Sequence, residues 1–151
     1  MSTLRFTLVT EGPTDAVLLH ILRWLLINNG VIRPIESVWA DLRQLPTPPT
    51  KLEHKIAAAW ELYPCDLIFI HRDSDKEPKA HLIDEIQRAV KIVSADLFNK
   101  IPYLPVVPIR MTEAWFLFNI VKIRLAAGNP AGSINLSLPP FHKIEGLPDP
   151  K

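Results

Sequence analysis

Cysteine is almost missing from the chain: one residue, Cys65, in 151. One thiol makes no internal disulfide and builds no cysteine-rich zinc site, which removes secreted disulfide scaffolds and points to a reducing cytoplasm. Net charge is nearly missing too, at +1 from 17 Lys+Arg against 16 Asp+Glu. The whole-molecule field is therefore weak, and any nucleic-acid binding must come from a local patch. No long apolar run is present. The most apolar stretch, Ala16–Ile27, is broken by His20 and Arg23 and is shorter than the ~20 residues that span a bilayer. Residues 1–10 lack a basic region followed by an apolar core, so they do not read as a signal peptide. These absences describe a soluble cytoplasmic chain with no membrane partner.

Apolar residues make up 48% and charged residues 22%, which is ordinary globular composition rather than that of a disordered chain, a collagen or a coiled coil. A chain of this length is one domain's worth and buries roughly 70% of its unfolded surface, enough for a core without staples. Proline is abundant, 15 residues, about twice the usual ~5%. The prolines crowd the second half and the Gln44–Lys51 stretch, where they mark stiff loops.

Strand and helix signals alternate. Arg5–Thr10 reads as a strand, and Gly12 and Pro13 break it. Ala16–Asn28 reads as a helix with apolar residues at Val17, Leu18, Ile21, Leu22 and Leu25, ended by Asn29-Gly30. Ser37–Leu42 is a weak second strand, Lys51–Leu62 a helix, and Asp66–His71 the clearest strand, apolar on both faces as a central parallel strand requires. Ala80–Leu97 is a helix. Tyr103–Ile109, with Pro105 and Pro108, reads as an edge strand. Thr112–Asn119 and Val121–Ala127 read as a helix or a broken pair, and 128–151 as a loop-rich C-terminal segment. The alternation predicts an α/β fold, a mostly parallel four-stranded sheet with helices on both faces, over residues 1–127.

In such a sheet ligands bind beyond the carboxyl ends of the strands. Glu11 follows the first strand, Asp73 and Asp75 the third, and Glu113 the fourth; Asp15 sits one helical turn past Glu11. Neighbouring strands are about 4.8 Å apart, so carboxylates gathered there repel unless a cation joins them. Magnesium, or manganese, is the expected cofactor, since hard divalent ions take carboxylate oxygens. In Asp73-Ser74-Asp75 the two acids, two residues apart, point the same way in extended chain. Glu11, Asp73 and Asp75 are the expected metal ligands, with Glu11 also able to take the proton of an attacking water. Glu113 completes the catalytic set. Arg72, Lys76 and Arg110 are the basic residues at this edge expected to hold nucleic-acid phosphates. Asp15 reads as a helix-terminal charge, His71 as a strand-end core histidine, and Trp24, Trp39, Trp60 and Trp115 as core. Cys65 reads as inert.

Glu11-Gly12-Pro13-Thr14-Asp15 after one strand and His71-Arg72-Asp73-Ser74-Asp75 after a later one resemble the Toprim domain. The nearest likeness is to small Toprim-like proteins related to the overcoming-lysogenization-defect nucleases, whose signature Pro108–Trp115 also resembles. The resemblance implies a compact Rossmann-like fold and a magnesium-dependent nuclease acting on nucleic-acid phosphodiesters; DNA is the expected partner, although the sequence does not decide between DNA and RNA. It implies that Glu11 matches the family glutamate and that Asp73 and Asp75 match its Asp-x-Asp. It further implies a role in phage defence beside an ATPase partner. The chain ends at 147–151 with no closing element, so an incomplete chain or a docking terminus is expected. Two rivals stand beside this reading. One is a catalytically inactive Toprim-like module that binds nucleic acid or a partner protein. The other is an aspartate-nucleophile phosphatase, whose Asp-x-Asp follows the first strand rather than the third.

Overall fold

A computed structural model of the chain describes residues 2–74, 77–93, 102–108, 119–140 and 142–143. Four strands, β1 (Leu4–Val9), β2 (Ile35–Trp39), β3 (Leu67–His71) and β4 (Tyr103–Val106), form one sheet in the order β2-β1-β3-β4. Every pairing is parallel, with Phe6 beside Leu67 and Ser37, and Ile70 beside Pro105. The helices are α1 (Leu18–Asn28), α2 (Leu52–Leu62), α3 (Lys79–Val93) and α4 (Ile120–Ala126). This is the expected α/β, Rossmann-like architecture. No helix among the described residues is long and apolar enough to cross a membrane.

Strand alternation divides the core in two. Phe6, Leu8 and Phe69 pack on one face with Leu18 and Leu22 of α1. Val9, Ile68 and Ile70 pack on the other with Ile56 and Ala59 of α2 and Ile86, Ala89 and Val90 of α3. The two central strands are thus buried on both sides, which is why β3 runs apolar from Leu67 to Ile70 and β1 exposes only Arg5. Phe6 and Phe69 meet edge to face across the β1–β3 pair, ring centroids 5.1 Å apart and planes at 83°.

Several boundaries differ from the sequence reading. The first helix becomes α-helical at Leu18; Pro13–Val17 before it is a tighter 3-10 turn, with Pro13 at its start. Gly30 ends α1 at φ 88°, a left-handed conformation that glycine adopts without a Cβ clash. Strand β2 is shifted toward the N-terminus of its predicted span, because Leu4 pairs with Ile35 and Leu8 with Trp39. Asp41 then caps a 3-10 turn at Leu42–Gln44, accepting the Arg43 amide. Strand β4 lies at the sheet edge, bonded to β3 alone, where Pro105 leaves no inner ladder bond unmade. Residues 112–118 of the predicted helix Thr112–Asn119 and the C-terminal ends of Ala80–Leu97 and Tyr103–Ile109 lie outside the described residues, as does Trp115; Asn119 caps α4. Trp24 is not core: it is 62% exposed, since it stands two residues from Leu22 and so faces away from the buried stripe. Within 128–151, residues 128–140 carry turns and no helix or strand.

Candidate metal centre at the carboxyl edge of the sheet

Parallel strands end at the same edge, so the segments after β1 and β3 meet there. His71 is the last residue of β3 and, two residues past Phe69, points to the α1 face; it is fully buried. Asp73 continues the same alternation. Asp15 arrives from the turn after β1, its carboxylate accepting the Gly12 amide at 3.2 Å. The 3-10 turn folds Asp15 back over the strand end and buries it to 7% exposure.

These residues converge on the imidazole. Asp15 Oδ2 lies 3.6 Å from His71 Nδ1, and Asp73 Oδ1 lies 3.6 Å from His71 Nε2. Asp15, His71 and Asp73 each offer a donor atom within 4.8 Å of the others. Asp15 is therefore more than a helix-terminal charge, and His71, though buried as a core histidine would be, faces carboxylates with both nitrogens.

Glu11 stands beside this group. Its Oε2 accepts the Asp73 amide at 3.3 Å, so it braces the backbone that carries Asp73. Its other oxygen pairs with the Arg72 guanidinium, which also reaches Glu85 of α3 at 3.1 Å. Arg72 lies between His71 and Asp73 in sequence and so points to the opposite face, toward α3. Its charge is shared between two carboxylates. Lys55 of α2 donates to the Thr10 and Glu11 carbonyls at 3.5 and 3.3 Å, tying the end of β1 to that helix.

Of the residues expected from sequence, Glu11, Arg72 and Asp73 meet at this edge. Asp75, Lys76, Arg110 and Glu113 lie outside the described residues. Asp15 and His71 were not chosen as ligands. Their signal was positional: Asp15 is one helical turn from Glu11, and His71 is on the same side of the chain as Asp73.

The donor set fits a divalent ion. Around an ion with bonds of about 2.0–2.1 Å in octahedral geometry, neighbouring donors stand roughly 3 Å apart and opposite ones about 4 Å; the three donor atoms here lie within 4.8 Å of one another, and because Asp15 and Asp73 approach different ring nitrogens, one carboxylate must turn toward the nitrogen that faces the ion. The imidazole can give one nitrogen to the ion, leaving the other toward a carboxylate, the arrangement that fixes a ligand histidine's tautomer. Two carboxylates with one imidazole rank manganese above magnesium, because nitrogen donors favour transition ions.

No protein-family model matches the chain, and no curated protein or solved structure matches it.

Proposed function

We propose that the protein is a divalent-metal-dependent nuclease that hydrolyses nucleic-acid phosphodiesters, DNA in preference to RNA. The observation that carries this reading is the meeting of Asp15, His71 and Asp73 at the carboxyl edge of a parallel sheet, with Glu11 hydrogen-bonded to the Asp73 amide. That edge is where open α/β sheets bind ligands. The resemblance of residues 11–15 and 71–75 to Toprim motifs adds the substrate class.

Asp15, His71 and Asp73 would hold magnesium or manganese, with Asp75 and Glu113 as further ligands expected from sequence. A bound ion supplies a water of lowered pKa and offsets the negative charge of the phosphodiester. Glu11, which accepts the Asp73 amide and pairs with Arg72, would take the proton of an attacking water in this reading. Arg72 holds Glu11 in register with α3 through Glu85. Arg110 and Lys76 serve the flanking phosphates in this reading. An ATPase partner and a role in phage defence follow from the family resemblance. A reducing cytoplasm suits a chain whose one thiol is buried and makes no disulfide.

The test is cleavage of plasmid, single-stranded DNA and RNA by the full chain with magnesium or manganese, with Asp73→Ala in parallel. Metal-dependent cutting that disappears in chelator and in the variant supports the nuclease. Cutting at equal rates in Asp73→Ala, or hydrolysis of phosphomonoesters only, overturns it. Binding of nucleic acid without cutting favours the inactive module.

A further inference from the structure

We propose that the cleft between α2 and α3 is the path of a single nucleic-acid strand, held by its phosphates through Lys51, Lys55 and Arg88. This rests on the nuclease reading and extends it to the form of the substrate. The cleft has a volume of about 530 Å³ and runs from the start of α2 to the middle of α3, with Glu11 and Arg72 on its wall. It therefore opens beside the acidic edge while lying on the opposite face of the sheet from Asp15 and His71.

The balance of charge in the cleft follows from its ion pairs. Arg72 engages both Glu11 and Glu85 and offsets one of their two charges, so the lining carries four cations, Lys51, Lys55, Arg72 and Arg88, against three carboxylates, Glu11, Glu53 and Glu85. Lys51, Lys55 and Arg88 have no carboxylate within 4.0 Å among the described residues. Arg88 donates only to the Asp84 carbonyl of its own helix, and Lys55 only to the Thr10 and Glu11 carbonyls. Three cations from two helices thus face one space, a local patch that the net charge of +1 conceals. Leu52 and the exposed Ile92 give the same cleft an apolar side, suited to sugar and base. Among the described residues no aromatic ring lines it, so the contact rests on the phosphates, which carry no sequence information.

Size selects the strand. A volume near 530 Å³ is that of a small-ligand site, room for one or two nucleotide units. A B-form duplex, whose two backbones stand apart across a minor groove of about 6 Å and a major groove of about 12 Å, brings more than such a space holds. A single strand or a frayed end fits.

The experiment measures anisotropy of a fluorescein-labelled single-stranded 12-mer with the full chain in EDTA, so that binding is read without cutting. Lys51→Glu with Arg88→Glu should weaken binding at least tenfold. The gentler pair Lys51→Gln and Arg88→Gln should lower the salt slope by about 1.4, since each phosphate contact to a single strand contributes about 0.7. Arg23→Glu with Lys122→Glu, outside the cleft and equal in charge change, should leave affinity within twofold. Blunt duplex of the same length should bind at least tenfold more weakly than single strand. Equal losses in the two charge-reversed pairs, equal affinity for duplex, or no binding by the wild type would overturn the proposal. Cleft-dependent binding without metal-dependent cutting would sustain the cleft and sink the nuclease; cutting without cleft dependence would do the reverse.

Discussion

Asp73→Asn should change the sign of its effect with metal. Donor oxygens of Asp15 and Asp73 lie within 4.8 Å. Two unit charges at that separation repel by about 1 kcal/mol in bulk water and about 3.5 kcal/mol at an effective dielectric near 20. Asp73 is 36% exposed at its side chain and Asp15 10%, so the pair sits between those limits. Glu11 adds little to the repulsion, because Arg72, shared with Glu85, offsets part of its charge. Asparagine keeps the shape of the side chain and removes one charge. In chelator the variant should therefore gain about 1–3 kcal/mol, which for a domain of this size raises Tm by about 2–12 °C. Manganese at a thousandfold excess over Kd adds about 4.1 kcal/mol to a protein that binds it only when folded, or about 8–16 °C. The wild type should show that rise and the variant should lose most of it, so the order of stability inverts. Differential scanning fluorimetry in EDTA and in manganese chloride reads both halves. Destabilisation of the same size in both buffers would refute the reasoning: Asp73 would then be a structural partner of His71, with no cation between them.

His71→Gln should weaken manganese binding by about 10–100-fold, the range seen when a ligand's setting is lost, and magnesium binding by much less; isothermal titration with each ion checks this, and equal losses would remove the imidazole from the donor set. Phe69→Ala should cost about 3–5 kcal/mol in urea unfolding, because it empties a fully packed site and breaks the edge-to-face contact with Phe6; a loss below 1 kcal/mol would mean that the α1 face is loosely packed. Burial raises the pKa of the Cys65 thiol. The thiolate is the reactive form, so Ellman's reagent at pH 8 should modify Cys65 slowly in the native protein and quickly in urea; fast native modification would show that β3 opens at Cys65.

Much of the scaffold was written locally. The four apolar residues Leu67–Ile70 announce a strand covered on both faces, and the structure puts β3 between β1 and β4 with cores on either side. Prolines at 105 and 108 mark an edge, and β4 is there. Where the first helix tightens and where β2 begins were not local. The Asp15 carboxylate turning back to the Gly12 amide belongs to the 3-10 turn before α1, and the start of β2 is set by its register against β1. A run of side chains carries no record of either.

The same division holds for the site. Sequence alone determined that acidic residues follow β1 and β3, and the parallel topology it predicted delivers both segments to one edge. Only the tertiary structure decided which groups meet there. Residue spacing says that His71 and Asp73 share a side, but the approach of Asp15 to that imidazole depends on a turn 56 residues earlier in the chain. Likewise Arg72 is one more basic residue in the sequence. In the fold its guanidinium joins Glu11 to Glu85, and that pairing leaves Lys51, Lys55 and Arg88 as the cations facing the cleft. Charge at a site is a sum over neighbours in space, and those neighbours come from segments that chain order keeps apart.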